Sequence, residues 1–267
     1  MALNELVNGS TTMFDLTSLE KDMNSGNAGK IFILTGKSAS GKDTILKTLV
    51  KECNFQPIIS TTTRPMRDGE VDGADYFFIS EEEFKNKIKR NEFLEYRTYN
   101  TCVAGKNATW YYGGTKQELD PNKYYVVVLD MEGANSFLDY YGKENCFVIY
   151  IDVDDDIREE RASRRGSFDK TEWYRRLVDD AIKFSYDILA NTVNFICSNN
   201  STDTVDGVVS DIISASNEYF KNKRKNPDVD IFIDYDINEP LKNFIITGKF
   251  IGCVFTVKER SDILDQF

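Results

Sequence analysis

The feature that most constrains this chain is a glycine-rich loop between a short apolar run and a helical pattern. The apolar run is Lys30–Thr35, the loop is Gly36–Thr44, and apolar residues then recur at helical spacing from Ile45 to Val50. The first N–H groups of a helix lack intrahelical partners, and the helix dipole favours negative charge there. The pattern therefore predicts that the loop cradles the phosphates of a nucleoside triphosphate.

The candidate triphosphate-binding residues all belong to this loop, and they are Gly36, Ser38, Ser40, Gly41, Lys42, Asp43 and Thr44. Lys42 is expected to reach the terminal phosphates, although a glycine turn with a surface lysine would give the same letters. Asp43 stands where a serine or threonine hydroxyl usually meets Mg²⁺. Asp43 and Thr44 are therefore candidate magnesium ligands, and Asp43 could equally be a favourable charge in the first helical turn.

A second motif, Ser60–Glu70, offers paired arginines to another anion. Arg64 and Arg67 carry guanidinium groups, which bind phosphate oxygens in bidentate fashion. Salt bridges to Glu70 or Asp72 are the alternative use of these arginines. Two anion sites in one chain favour phosphoryl transfer between two bound nucleotides, as in a small-molecule kinase.

Composition excludes several other classes of protein. The formal charge of −11 argues against a nucleic-acid-binding surface, and the lack of histidine excludes histidine general-base chemistry. The five cysteines contain no Cys-x-x-Cys pair, which is typical of reduced core thiols in the cytoplasm. We find no membrane-spanning run and no signal-peptide core, so we expect a soluble cytoplasmic protein.

Strand-like and helix-like runs alternate from Lys30 onward, which predicts an α/β fold with a parallel sheet and helices on both faces. Apolar stripes at 173–188 and 205–213 are expected to be core-facing helix surfaces. The expected organisation is an N-terminal arm at 1–28, a P-loop core at 29–59, 117–153 and 179–215, a nucleoside monophosphate-binding α+β insert at 60–116, a helical lid at 154–178 and a C-terminal α+β extension at 216–267.

With these motifs assembled, the chain resembles guanylate kinase, a family of nucleoside monophosphate kinases with the P-loop NTPase fold. The resemblance covers roughly residues 29–215, and its most specific part is Ser60–Phe78. It implies that ATP and Mg²⁺ act on GMP or dGMP, and it implies a set of acceptor-binding residues: Ser60, Arg64, Arg67, Tyr76, Glu95, Tyr112, Gly114 and Asp130. A carboxylate at Glu95 would accept hydrogen bonds from the guanine ring N–H and exocyclic amine, a donor pair that adenine lacks.

The resemblance also implies that arginines of the lid neutralise the transferring phosphoryl group. The matching residues are Arg161, Arg165 and Arg176, which join Lys42 as the predicted catalytic residues. A solvated helix face is the alternative interpretation of this arginine-rich segment.

Three departures from the family pattern bear on the acceptor base. Gly114 replaces a serine, Val128 replaces an acidic residue, and the segment 97–110 is predicted to be an unusually long loop. A kinase with a relaxed acceptor, such as other deoxynucleoside monophosphates or a phosphorylated sugar, is therefore an alternative. A non-catalytic binding module is another, and a homo-oligomer is possible in each case.

Overall fold

In a computed structural model, the chain forms two sheets with helices around them. The structure describes residue 14 and residues 29–103, 106–164, 168–225, 230–234 and 244–248. The predicted N-terminal arm, apart from Phe14, lies outside these residues. The strands are β1 (Lys30–Thr35), β2 (Gln56–Pro57), β3 (Thr61–Thr62), β4 (Phe77–Phe78), β5 (Phe93–Val103), β6 (Lys106–Thr115), β7 (Tyr124–Val128), β8 (Cys146–Asp152), β9 (Phe195–Ser198), β10 (Asp230–Asp234) and β11 (Phe244–Gly248). The helices are α1 (Lys42–Cys53), α2 (Glu81–Lys89), α3 (Met131–Tyr141), α4 (Asp155–Ser163), α5 (Lys170–Lys183), α6 (Tyr186–Thr192) and α7 (Val205–Lys225).

The main sheet has seven strands in the order β11-β10-β9-β8-β1-β7-β2. Neighbouring strands from β10 to β2 pair in parallel, and β11 pairs with β10 in antiparallel fashion. The predicted α/β fold with a parallel sheet between helices is thereby confirmed. In such a sheet the carboxyl ends of the strands share one edge, where ligands bind.

Apolar side chains on both faces of β1 place this strand at the centre of the core. Phe32 and Leu34 face one layer, and Ile31 and Ile33 face the other, with all four fully buried. The first layer includes the predicted stripe of α7, whose residues Val208, Val209, Ile212 and Ile213 are buried. Burial on both faces explains why β1 is a continuous apolar run rather than an alternating one.

A second sheet, in the order β4-β3-β6-β5, forms most of the predicted insert together with α2. The Ser80 side chain accepts a hydrogen bond from the Glu83 N–H at 3.1 Å, so Ser80 caps the start of α2. The prediction of a long loop at 97–110 is wrong. The segment belongs to strands β5 and β6, which pair in register from Arg97 opposite Tyr112 to Val103 opposite Lys106.

The predicted stripe at 173–188 is only partly a core surface. Trp173 is buried and Leu177 is partly buried, but Ala181 and Ile188 are exposed. The reason is that α5 ends at Lys183 and α6 begins separately, so the helical spacing does not continue.

The expected lid corresponds to α4 and α5, and its boundary at 178 falls inside α5. The boundary expected at 215 likewise falls inside α7, and the strands beyond it extend the main sheet. No helix among the described residues is long and apolar enough to cross a membrane.

Candidate active site

The loop after β1 adopts a backbone that its glycines permit. Gly36 has φ of 147° and Gly41 has φ of 92°, a range that side chains rarely adopt. A Cβ at Gly36 would lie 2.7 Å from the Ile151 carbonyl oxygen, and one at Gly41 would lie 2.5 Å from Nδ2 of Asn199. The two glycines therefore allow the loop to curl against β8 and the segment after β9.

Lys42 begins α1, and its ammonium group turns back over the loop. Its Nζ donates to the carbonyl oxygens of Gly36 at 2.7 Å and Lys37 at 2.8 Å, and to Oγ of Ser40 at 3.2 Å. The carbonyl of Ser40 accepts from Nδ2 of the buried Asn199 at 2.8 Å. These contacts hold the positive charge at the mouth of the loop, where phosphate would bind.

Asp43 and Thr44 follow Lys42 in the first turn of α1, and both are exposed. Asp43 lines a cavity of about 790 Å³ together with Ser38, whereas Thr44 lines neither of the two cavities described below. Mg²⁺ in kinases is held mainly by substrate phosphates and by one or two protein oxygens. The Asp43 carboxylate fits that role, and the geometry favours it over Thr44.

Of the three predicted lid arginines, Arg161 lies against the phosphate loop. Its Nη2 donates to the Asn199 carbonyl at 2.8 Å, and its Nη1 lies 3.8 Å from the position of a Cβ built on Gly41. Nη1 is buried, and no acceptor for it is found among the described residues. A buried guanidinium donor aimed at a phosphate loop suits an anionic ligand.

Arg176 extends from α5, and its Nε donates to Glu172 Oε1 at 2.9 Å. Glu172 also accepts from Arg175, and this hydrogen bond, with further help from Arg176, lowers the pKa of its carboxyl to about 2. Arg165, the third predicted lid arginine, lies outside the described residues.

The paired arginines of the second motif occupy different environments. Arg67 faces both cavities, and desolvation together with the charge of Arg64 lowers the pKa of its guanidinium. Arg64 is buried and lines neither cavity, because its Nη2 donates to both carboxylate oxygens of Glu70 at 2.8 and 3.0 Å. The alternative of a salt bridge to Glu70 therefore holds for Arg64 in this structure.

Tyr76 and Tyr112 stand beside these arginines, with their ring centroids 6.0 Å apart. The Arg64 guanidinium lies 5.5 Å from the centre of the Tyr76 ring. Burial raises the pKa of both tyrosines, so their hydroxyls stay protonated and available as neutral donors.

Glu95 is placed by an irregularity in β5. The register shifts between Phe93 and Glu95, so that Glu95 comes to lie opposite Gly114 on β6. Its Oε1 accepts from the Gly114 N–H at 3.0 Å, and its side chain is only 6% exposed. Desolvation, reinforced by the charge of Asp130, raises the pKa of this carboxyl to about 7 even though Arg97 acts in the opposite direction.

Asp130 caps α3, because its Oδ1 accepts from the Gly133 N–H at 2.9 Å. Its other oxygen, Oδ2, accepts from the Tyr99 hydroxyl at 2.8 Å. Asp130 therefore has a structural role as a helix cap, and it also lines the cavity of the candidate acceptor site. Tyr99 in turn stacks edge-on against Tyr112, with ring centroids 5.3 Å apart.

A cavity of about 290 Å³ brings most of the predicted site residues together. Those that line it are Gly36, Ser38, Lys42, Ser60, Arg67, Tyr76, Glu95, Tyr112, Asp130 and Arg176. The 790 Å³ cavity meets it at Ser38, Arg67, Glu172 and Arg176. Ser40, Gly41, Thr44, Arg64, Gly114 and Arg161 line neither of the two cavities. The phosphate loop and the candidate acceptor residues thus open into one continuous space.

Comparison with known proteins identifies the family. Residues 28–216, more than half of the chain, match the family model described as guanylate kinase. The chain belongs to the guanylate kinase family. This is a family of nucleoside monophosphate kinases.

Several guanylate kinases illustrate how far the likeness extends. The enzyme from Clostridium tetani is 36% identical over 143 residues, which are 52% of this chain and 64% of that protein. The enzyme from Thermotoga maritima is 31% identical over 200 residues, covering 74% of this chain and 92% of that protein. With the enzyme from Mesoplasma florum the alignment reaches 90% of this chain and 80% of that protein at 25% identity.

Beyond the residues expected for a guanylate kinase, the cavity includes several side chains that sequence reasoning missed. They are Arg97, Tyr99, Asp180 and Lys183, with Arg158 directly behind them. Arg97 lies between three carboxylates, with nitrogen–oxygen distances of 3.6 Å to Glu95, 3.9 Å to Asp130 and 2.8 Å to Glu132. The Lys183 ammonium lies 4.6 Å from the centre of the Tyr99 ring.

Arg97 and Tyr99 follow Glu95 at a spacing of two residues, and this spacing is the signal that could have found them. Every second residue of a strand faces the same side, so Arg97 and Tyr99 follow Glu95 onto the cavity face. Asp180 and Lys183 carried no comparable signal, because neither belongs to a motif and both lie in α5, a helix with many charged residues.

Proposed function

We propose that this protein is an ATP-dependent guanylate kinase, which phosphorylates GMP and dGMP to the corresponding diphosphates. The observation that carries the proposal is the continuous space that joins Lys42 of the phosphate loop to Glu95 of the base pocket. Arg67 lies along the same cavity and can neutralise the acceptor phosphate. The protein would act in the cytoplasm, where both nucleotides are used.

Charge stabilisation and positioning carry the reaction in this proposal. The acceptor phosphate oxygen is already a nucleophile, so no side chain has to remove a proton. Lys42 would exchange its loop carbonyl partners for the phosphates of ATP, while Arg161 and Arg176 would stabilise the charge on the transferring group. Asp43 would hold Mg²⁺, which would add positive charge beside the donor phosphates.

The acceptor base would be read by the free oxygen of Glu95. Oε1 is engaged by the Gly114 N–H, which fixes the carboxylate plane and leaves Oε2 facing the cavity and Arg97. An ionised carboxylate there accepts from the guanine N–H groups, whereas adenine presents an acceptor at the corresponding ring position. Ser60 also lines the cavity and can donate to a guanine acceptor atom.

A kinase with a relaxed acceptor remains the second candidate, because Gly114 supplies no side-chain hydroxyl to the base pocket. A binding module is less well supported. Scaffold functions do not require a curled phosphate loop with Lys42 at its mouth, or Arg161 beside that loop with a buried Nη1, and both are present here.

The proposal is tested by measuring ADP release from ATP and Mg²⁺, in a coupled assay, with each acceptor of a panel. The panel contains GMP, dGMP, AMP, CMP, UMP, dTMP and ribose 5-phosphate. Turnover confined to GMP and dGMP supports the proposal, and turnover with other acceptors favours the relaxed kinase. If the folded wild-type protein turns over none of the acceptors, both kinase proposals are contradicted and the binding module is favoured.

A further inference from the structure

A carboxylate from the lid helix already occupies one backbone donor of the phosphate loop. The Ser38 N–H donates to Asp180 Oδ2 at 2.9 Å, and the Ser38 hydroxyl lies 3.5 Å from Asp180 Oδ1. Asp180 belongs to α5 and is 7% exposed, and both residues line the cavity that contains Lys42. An anion of the protein is therefore bound in a loop suited to phosphate.

Arg158 completes this contact from α4. Its Nη1 donates to Asp180 Oδ2 at 2.9 Å and to the Ser38 carbonyl at 3.0 Å. Asp180 and Arg158 therefore bind the N–H and the carbonyl group of the same loop residue. Arg158 is 1% exposed, and its guanidinium lies 5.5 Å from the centre of the buried Trp173 ring. Its Nη2 donates to Asp155 at 2.6 Å, which anchors the guanidinium to its own helix.

We propose that Asp180 is an internal substitute for a donor phosphate, which holds the lid helix on the loop and must leave Ser38 when ATP binds. The inference rests on the proposed function, since it assumes that this loop takes a nucleoside triphosphate. The role is one of positioning, because Asp180 acts on ATP through the Ser38 N–H.

Asp180 and a phosphate of ATP should compete for the same N–H group of Ser38. One N–H donates fully to one acceptor, so a phosphate oxygen at Ser38 replaces the carboxylate rather than joining it. A phosphate and a carboxylate in this cavity also repel each other, because burial weakens screening by solvent. ATP binding therefore includes the free energy of displacing Asp180.

The displacement also has a mechanical consequence. Asp180 accepts from both Ser38 and Arg158, so its departure releases α5 from the loop and from α4, while Arg158 still holds the Ser38 carbonyl. Arg176 lies four residues before Asp180 on α5, and the two residues turn with the same helix. Donor binding would thereby free the helix that carries a predicted catalytic arginine.

The test removes the pair together, because deleting one partner leaves a buried charge whereas replacing both by apolar residues is often tolerated. In Arg158→Met/Asp180→Leu the dissociation constant for MgATP, measured by calorimetry, should fall about tenfold, as expected for loss of a competing charged hydrogen bond. Asp180→Asn keeps the side-chain shape and should shift affinity in the same direction.

The matched control is Arg175→Met/Asp179→Leu. This pair also joins two charges on α5 and lines the same cavity, but Arg175 bonds to Glu172 and Asp179 rather than to the loop. Its MgATP affinity should stay within about twofold of wild type, well below the tenfold effect that one charged hydrogen bond gives.

A spectroscopic readout follows the contact itself. The chain has two tryptophans, so Trp110→Phe leaves Trp173 as the single reporter beneath Arg158. MgATP should change its emission in this background, and the change should be lost when Arg158→Met/Asp180→Leu is added.

Unchanged or weaker MgATP binding in a folded Arg158→Met/Asp180→Leu variant, beside normal binding by wild type, overturns this inference alone. An equal gain in both double variants also overturns it, because general electrostatics would then explain the effect. Absence of MgATP binding in every protein overturns the proposed function as well.

Discussion

The Arg97 guanidinium lies 3.6 Å from Oε2 of Glu95, close enough to influence its charge but too far for a hydrogen bond. The other ionisable groups facing Glu95 are Asp130 and Glu132, which oppose its ionisation. Desolvation nevertheless dominates and raises the pKa of Glu95 to about 7. The carboxylate proposed to read the base thus changes charge within the working pH range of an enzyme.

Acceptor binding should consequently depend on pH. Below about pH 7 the free protein carries a protonated Glu95, which has lost acceptor capacity, so the KM for GMP should rise as pH falls, approaching tenfold per unit. Steady-state kinetics between about pH 5.5 and pH 8.5 measure the effect. The KM for ATP provides the control, and a KM for GMP that stays flat over this range would contradict the assignment of Glu95.

Arg97→Gln should move that profile toward higher pH. Removing the guanidinium takes away the charge that lowers the pKa of Glu95, while Asp130 and Glu132 continue to raise it. At pH 7 the KM for GMP should therefore increase several-fold, and raising the pH should recover part of the loss, as a purely structural defect would not. Arg90→Gln, at an exposed arginine of the same insert, serves as the control.

Glu95→Gln should stabilise the fold while weakening acceptor binding. The pKa of Glu95 is raised from 4.5 to about 7, so between these values the folded state holds more protons than the unfolded state, and stability falls as pH rises. Glutamine removes this cost, giving a gain of roughly 2–3 kcal/mol at pH 8 that vanishes near pH 4. Urea unfolding at the two pH values measures the difference, and equal stabilities at pH 8 would count against the raised pKa.

Gly114→Ser should disturb the base pocket rather than restore a missing contact. A Cβ at this position would lie 3.3 Å from Oε1 of Glu95 and 3.3 Å from the Phe137 ring, which is tighter than ordinary contact. We expect a stability loss of about 1 kcal/mol and a raised KM for GMP. Gly114→Ala separates the effect of bulk from that of the hydroxyl; a serine variant that binds GMP more tightly than wild type would show that the pocket adapts.

Lys42→Met should lower kcat by at least about 100-fold with little change in unfolding free energy, because the lost charge acts mainly on the transition state. Single-turnover and steady-state assays measure the rate, and circular dichroism measures the fold. Lys51→Met, at an exposed lysine of the same helix, should be close to wild type. Unchanged turnover in Lys42→Met would remove the phosphate loop from the mechanism.

The parts of the fold that were predictable are those set by local chemistry. The run Lys30–Thr35 and the glycines after it predicted β1 and the phosphate loop. A strand buried on both faces requires a continuous apolar run, and a backbone with positive φ favours glycine. The predicted roles of the site residues remain predictions, although most of those residues line one cavity.

The rest depended on contacts between distant residues. Arg158 and Asp180 are 22 positions apart, and each resembles a solvated helix residue until the fold brings it to Ser38. The hairpin of β5 and β6 was not predicted, because polar and aromatic residues follow one another along both strands without a clear alternation of apolar and polar residues. The binding of the acceptor phosphate by Arg64 stays a prediction, and in the structure its guanidinium is paired with Glu70.

The two strands after α7 determine which backbone groups at the edge of the main sheet are left without a pairing strand. Strand β10 pairs in parallel with β9 at Phe195 and Ile196 and is covered in turn by β11, so the backbone groups along this part of the β9 edge are already engaged. A chain shortened to end at Lys225 would present them to any extended polypeptide nearby, and self-association through intermolecular strand pairing would be its characteristic failure.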